Sequence, residues 1–362
     1  MFFKDKTAKQ AQAVALALAE YFSADASVAG RWVTINGNDV TVTLPFCAAS
    51  LHADIAALVS GAWQGGGAPD NVSIRQQIPS FHTQASPVTN VRNIIAVASG
   101  KGGVGKSATS VNLAFALQQE GARVGLLDAD IYGPSVPIML GNPDAHPVSS
   151  DNKHMQPLEA WGMVANSIGY LVPPEDAAVW RGPMASRALN QLINETLWPV
   201  LDYLIVDMPP GTGDIQLTMA QQVPLTGAVV VSTPQDLALA DAQKGISLFE
   251  KVHVPVLGLI ENMSYFQCHH CGEKSYVFSH GGGAGLAERH GLPLLGALPL
   301  DTAIREHADT GSPLLVAKPD SPLSDAYREA ARAISLQLAL TRQPRDTGEA
   351  HIRGEQIGVR QS

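Results

Sequence analysis

The chain has 362 residues, 45% of them hydrophobic and 16% charged, a globular balance in a chain long enough for two domains. No run of about 18 apolar residues is present, which excludes a membrane-spanning helix, and a formal charge of −9 argues against broad nucleic-acid binding, which leaves a basic footprint. Three cysteines are too few for a disulfide framework and point to reduced thiols in the cytoplasm.

The N-terminal stretch MFFKDKTAKQAQAVALALAEYF interrupts its apolar residues with Gln and Glu and lacks a cleavage site, so it predicts an amphipathic helix. RWVTINGNDVTVTLPF reads as two strands turned at Asn36-Gly37. LHADIAALVSGAWQ has helical spacing, GGGAPD is a loop and NVSIRQQI is a further strand. Residues 1–80 thus predict a small α+β domain, with a polar linker over 81–91.

Beyond the linker, short continuous apolar runs alternate with helical patterns. IIAVAS, RVGLLDAD, YLIVDMPP, GAVVVSTP, VLGLIENM and PLLGALPL have the Val/Ile/Leu content of strands buried on both faces. SATSVNLAFALQQE and DAQKGISLFEKV lie between them, and LSDAYREAARAISLQLAL closes the series. Residues 92–341 therefore predict an α/β domain with a doubly wound, mostly parallel sheet. Residues 342–362 are polar and aperiodic, the pattern of a disordered tail.

GKGGVGKS matches G-x-x-x-x-G-K-[ST] between a buried strand and a helix, the setting that a phosphate-binding loop requires. Gly100, Lys101, Gly102, Gly103, Val104 and Gly105 would curl the backbone so that N–H groups point at phosphate oxygens, aided by the helix N-terminus. Lys106 would reach the β- and γ-phosphates of ATP, and the Ser107 hydroxyl would ligate Mg²⁺. VGLLDAD places Asp128 and Asp130, and YLIVDMPPGTGD places Asp207, at the C-terminal ends of strands, where open α/β sheets bind ligands. Each alone reads equally as a strand-end acid; in a chain with a phosphate loop, Asp207 suits a Mg²⁺-shell carboxylate.

FQCHHCGEK carries Cys268 and Cys271 two residues apart, with a glycine-rich loop after it. A redox dithiol of the thioredoxin kind would begin a helix. A zinc knuckle could draw on His269, His270 and His280, although adjacent histidines in a two-residue gap cannot easily turn inward together. An iron–sulfur cubane takes four thiolates, which two chains about a two-fold axis would supply two each. Cys47, in LPFCAAS, reads as a thiol opening a helix or as a buried structural cysteine, the second being favoured.

The form KGGVGK resembles the deviant phosphate loop of the MinD/ParA group of ATPases. ASGKGGVGKS, LLDADIYGPSVPIMLG, NSIGYLV, VWRGPMASRALNQLI, LDYLIVDMPPGTGDIQLT, VVVSTPQDLALADAQKGISLFEKV and VPVLGLIENMSYFQCHHCG follow one another in the order found in the Mrp/ApbC family of iron–sulfur cluster carrier ATPases, a resemblance that covers residues 92 to about 340. The N-terminal unit is similar to a small domain found in iron–sulfur assembly factors. The resemblance implies a homodimer in which Lys101 reaches the partner's nucleotide. It also implies that Asp130 helps to orient the attacking water, that Asp207 contacts Mg²⁺ through water and that Asn262 contacts adenine, a position that reads equally as a strand-end cap. It further implies a bridging [4Fe–4S] cluster on Cys268 and Cys271, passed to apo iron–sulfur proteins in exchange with assembly scaffolds. No nucleic acid or membrane partner is expected: the tail, with Gly348, Gly354 and Gly358, offers no basic amphipathic helix. Two other functions fit parts of the pattern, a zinc-stapled nucleotide-binding scaffold and a positioning ATPase of the MinD/ParA type. Arg181, in VWRGPM, is read as a structural arginine.

Overall fold

The computed structural model describes residues 2–64, 67–83, 86–172 and 182–345. At the N-terminus, α1 (Phe2–Phe22), α2 (Ala26–Ala29) and α3 (His52–Ala62) accompany a three-stranded sheet of β1 (Val33–Asn36), β2 (Asp39–Leu44) and β3 (Asn71–Gln76). β1 and β2 form the expected hairpin, but Asn36 pairs with Asp39, which makes Gly37 and Asn38 the turn residues. Gly37 takes φ 63°, a conformation that glycine adopts without Cβ strain. Val14, Leu18, Trp32, Val42, Leu44, Phe46, Ile55 and Val59 form the core of this unit.

The main sheet is assembled from β4 (Val91–Ala98), β5 (Val124–Asp128), β6 (Leu158–Ala160), β7 (Met163–Ser167), β8 (Leu201–Asp207), β9 (Gly227–Ser232), β10 (Val256–Glu261) and β13 (Leu294–Ala297). Their order is β13-β10-β9-β4-β8-β5-β7-β6. Every neighbouring pair is parallel except β6 with β7. Successive residues of the central strand enter opposite cores, as the two-residue period of a strand requires. Ile95 and Val97 pack with Phe115, Leu126 and Tyr203, while Ile94 and Ala96 pack with Leu204, Val206 and Ile246. Helices α4 (Lys106–Gln119) and α12 (Pro322–Thr341) contribute to the first core; α6 (Gly182–Asn194) and α8 (Asp236–Lys251) contribute to the second. α5 (Val136–Met139), α7 (Asp214–Gln222), α9 (Gly282–Arg289), α10 (Thr302–Asp309) and α11 (Leu314–Ala317) complete the helices, and β11 (Phe266–Gln267) pairs with β12 (Lys274–Ser275) outside the sheet.

The β6–β7 hairpin was not legible in the sequence. Its turn places both Trp161 (φ 55°) and Gly162 (φ 77°) in the left-handed region, and tryptophan is not a residue that signals such a turn. The polar linker segment is anchored rather than extended into solvent. Phe81 is buried and donates its N–H to Asn93 Oδ1, and it bridges Pro344 near the last described residues. The tail beyond Arg345 and Arg181 both lie outside the described residues.

The N-terminal unit meets the C-terminal end of α4. Glu120, whose side chain is fully buried, accepts the Ser50 N–H, the Ser50 hydroxyl and the Arg332 guanidinium, the last at 2.6 Å. Leu336, Ala339 and Leu340 on α12 pack against the N-terminal core, so this helix touches both hydrophobic units. Removing one partner of a buried ion pair leaves the other charge uncompensated, which costs about 3 kcal/mol or more. Arg332→Ala is therefore expected to lower the unfolding free energy, read from denaturant titration, by about that amount; an unchanged free energy would show that Ser50 alone satisfies Glu120.

Candidate nucleotide site and cysteine hairpin

The phosphate loop leaves β4 at Ser99 and runs into α4 at Lys106. Gly103 and Gly105 take φ 81° and 78°, left-handed conformations that disfavour any residue with a Cβ. Gly100 meets a different constraint: a Cβ there would lie 2.1 Å from the Asp241 carbonyl on α8. Helix α8 is thus seated directly on the loop. On the other side, Asn262 donates from Nδ2 to the Val104 carbonyl at 2.8 Å, and a Cβ on Gly105 would strike that same nitrogen. Asn262 braces the loop, a role its position after an apolar strand did not announce. Lys101 is half-buried, and its ammonium forms no ion pair among the described residues.

Strand register brings the acids together. Asp128 of β5 pairs directly with Asp207 of β8. Lys106 Nζ donates to Asp207 Oδ1 at 2.6 Å and lies 3.8 Å from Asp130 Oδ2 and 3.2 Å from Ser107 Oγ. Ser110, which the sequence reading missed, also donates to Asp207 Oδ1. Asp128 accepts the Asp130 and Val136 N–H groups and the hydroxyl of Ser167, another missed residue. Burial, reinforced by the neighbouring Asp207 charge, pushes the Asp128 carboxyl up to about 7. Burial also raises Asp130, to about 6, against the opposing pull of Lys106. Ser110 and Ser167 lie four residues past the loop lysine and at the end of β7; no motif marks either.

The other oxygen of Asp207, Oδ2, is fully buried and has no hydrogen-bond partner among the described residues. A buried carboxylate oxygen without a donor is costly, and a hydrated divalent cation would satisfy it. With Ser107 Oγ beside Lys106, the donors are all hard oxygens, the set that Mg²⁺ prefers.

Cys268 and Cys271 stand apart from this cluster, in the turn between β11 and β12. The Cys268 N–H donates to the Glu273 carbonyl, and the Gly272 N–H donates to the Cys268 carbonyl, with Gly272 at φ 74°. This turn aims the backbone amides of Cys271 and His270, and the Cys271 thiol, at the Cys268 sulfur, holding that thiol below its ordinary value. Amides directed at sulfur favour the thiolate, the form that binds metal. The histidines face elsewhere: His269 lies 3.9 Å from Asp301, and the His280 ring meets Tyr276 edge-on at 4.1 Å between centroids. Among the described residues no third His, Cys, Asp or Glu joins the cysteines in a metal-binding group.

Cys47 is fully buried, and its backbone N–H donates to Ser335 Oγ. Burial pushes its thiol up to about 12, the state of a structural cysteine.

The model of the ParA family described as NUBPL iron-transfer P-loop NTPases matches residues 90–335. The chain belongs to this family. Among curated members, the iron–sulfur cluster carrier protein of Salmonella typhimurium is 59% identical over 251 residues, spanning 69% of this chain and 68% of that protein. The iron–sulfur cluster transfer protein NUBPL of Dictyostelium discoideum is 47% identical over 254 residues, 70% of this chain and 79% of its own. Among solved structures, an Archaeoglobus fulgidus nucleotide-binding protein in complex with ADP is 35% identical, with a TM-score of 0.57 over 65% of this chain and 91% of that one. The cell division ATPase MinD of Pyrococcus furiosus has the same fold, at 23% identity and a TM-score of 0.52 over 67% of this chain and 98% of its own. The family's α/β fold, with a mostly parallel sheet and a phosphate loop after a central strand, is the one expected from the sequence.

The three thiols differ enough in environment to be told apart chemically. A thiol at about 12 instead of 9 holds on the order of a thousandfold less thiolate near neutral pH. Iodoacetamide at pH 8 is expected to modify Cys268 and Cys271 in the native protein and Cys47 only after unfolding, as read by peptide mass spectrometry. Labelling of native Cys47 at a comparable rate would contradict its burial.

Proposed function

We propose that this protein is an ATP-hydrolysing iron–sulfur cluster carrier that works as a homodimer in the cytoplasm and delivers its cluster to apo-proteins, in exchange with assembly scaffolds. The observation that carries the reading is the cysteine turn: one chain offers an exposed and a half-buried thiol, with amides aimed at one sulfur and, among the described residues, no third ligand beside them. A cubane needs four thiolates, so two chains meeting at this turn complete the set. The cluster is cargo, held by two ligands from each side and open to an acceptor's thiols. The names of the curated relatives support the same cargo.

In this proposal the amides of Gly102 to Ser107 bind the ATP phosphates, and Lys106 transfers its ammonium from Asp207 toward the β- and γ-oxygens. Ser107 and, through water, Asp207 would hold Mg²⁺, which when bound neutralises charge on the β- and γ-phosphates. Asn262 keeps the loop in register through the Val104 carbonyl and would contact the base. The partner's Lys101 completes the charge around the γ-phosphate, and Asp130 accepts a hydrogen bond from the attacking water. We further propose the division into a domain of residues 1–80 and an ATPase domain of 92–341.

Two experiments test this. The Asp130 carboxyl lies at about 6; below that pH it is protonated and loses the charge with which it accepts strongly from water, so the hydrolysis rate should rise as pH increases through about 6. Asp130→Asn should remove that dependence and lower kcat by about a hundredfold or more; a retained pH profile would assign the water-orienting role elsewhere. Anaerobic purification followed by iron, sulfide and zinc analysis should give one [4Fe–4S] cluster per two chains, abolished by Cys268→Ala or Cys271→Ala. Stoichiometric zinc without sulfide after reconstitution would instead identify a zinc-stapled nucleotide-binding scaffold.

A further inference from the structure

Strand β10 ends at Glu261, and Asn262 follows it at the start of a turn; both are buried. Immediately beyond them the chain leaves the sheet, forms the cysteine hairpin and returns at α9. The Glu261 carboxylate grips both feet of this excursion. Its Oε1 accepts the Ser264 hydroxyl at 2.6 Å where the chain departs, and its Oε2 accepts the Gly283 N–H where the chain re-enters the fold. The contact with the returning chain, at the start of α9, is close enough that a Cβ on Gly283 would lie 2.7 Å from Oε2. This accounts for one residue of the glycine run after the hairpin, for which the nucleotide site has no use. Asn262, meanwhile, donates its backbone N–H to Ser232 and its side chain to the Val104 carbonyl of the phosphate loop.

We propose that Glu261 is a positioning residue for Cys268 and Cys271, and that the Glu261–Asn262 pair mechanically links the phosphate loop to the cysteine hairpin. The Asn262 N–H still bonds to Ser232 at the end of β9, so two adjacent side chains fixed to one strand end hold two different sites, Asn262 the Val104 carbonyl and Glu261 the feet of the hairpin. A displacement of the Val104 carbonyl as phosphates enter the loop loads Asn262, and the same backbone carries the carboxylate on which both feet of the hairpin rest. The register of the two cysteines, and hence their reactivity, then follows the nucleotide. This inference rests on the carrier reading for its purpose, not for its geometry.

The test uses the full chain and follows iodoacetamide modification of Cys268 and Cys271 with and without Mg²⁺ and a non-hydrolysable ATP analogue. In the unaltered protein the analogue should change the modification rate about fivefold or more, the scale of an ordinary coupling between sites. Glu261→Gln removes the charge that both feet share: its one oxygen can still accept the Gly283 N–H, but Ser264 must turn to accept from Nε2, so the charge-assisted grip on both feet is weakened. It should keep the KM for ATP within about twofold, as expected when ground-state binding is untouched, yet lose the nucleotide-dependent change in thiol reactivity. Gly283→Ala, which displaces the carboxylate, should do the same, and Ser264→Ala should weaken the response. A normal response in Glu261→Gln and Gly283→Ala, or no response in the unaltered protein, overturns the proposal. Should Glu261→Gln fail to fold by circular dichroism, Gly283→Ala and Ser264→Ala decide. Iron and sulfide analysis of the same unaltered protein separates the two ideas: a missing cluster with an intact thiol response removes the carrier reading and leaves the link standing.

Discussion

One ammonium group, that of Lys106, is buried against the acid cluster at the heart of the sheet, and the nucleotide site is organised around it. Asp207 holds it at 2.6 Å, Asp130 lies within reach, and Asp128 is paired across the strand from Asp207. Burying carboxylates beside one another is unfavourable unless positive charge and hydrogen-bond donors compensate. Here the compensation comes from one lysine, from the hydroxyls of Ser110 and Ser167 and from backbone amides. The remaining imbalance appears as raised carboxyl values at Asp128 and Asp130 and as one carboxylate oxygen of Asp207 with no donor. Such an arrangement is suited to accepting a polyphosphate with its cation, because each element of the ligand answers a charge that the protein leaves unbalanced.

That cluster depends on the sheet around it. β4, β8 and β5 lie side by side with both faces covered, so the strand ends cannot drift and the acids stay in register. The phosphate loop is held between α8 under Gly100 and Asn262 against Val104. At the opposite end of α4, the buried Glu120 ties the loop's own helix to Ser50 and Arg332. The N-terminal unit is therefore in mechanical contact with the helix that begins at the phosphate-binding lysine, even though its residues are remote from the nucleotide loop in sequence.

The cysteine turn obeys a different physics. It lies in a largely exposed two-stranded hairpin, none of whose described residues joins a hydrophobic core. Its shape comes from local hydrogen bonds across the turn, and its attachment comes from Glu261 at its base. In the proposed reading, a rigid loop for the nucleotide and a largely exposed turn for the cargo meet at one strand end.

Much of this was legible in the residues alone. The phosphate loop declares itself because its glycines, lysine and serine are contiguous, and the chemistry of a backbone anion nest is local. The buried strands declare themselves because a two-sided core demands unbroken Val/Ile/Leu runs, as in IIAVAS and YLIVD. The CxxC spacing, likewise, is a local property. What the sequence could not express are relations between distant residues: Asp128 opposite Asp207, Ser110 and Ser167 behind them, Asn262 on the Val104 carbonyl and Glu261 on Gly283. The Trp161-Gly162 turn was hidden for a related reason, since the tryptophan there, in a backbone region it rarely chooses, donates its indole N–H to the distant Leu140 carbonyl. By itself the sequence determined the kind of fold and named the candidate groups for its chemistry, because those rest on local pattern and residue type. Only the tertiary structure decided which carboxylates share one lysine and what holds the cysteines in place, because charge balance and anchoring arise between segments that the chain keeps far apart.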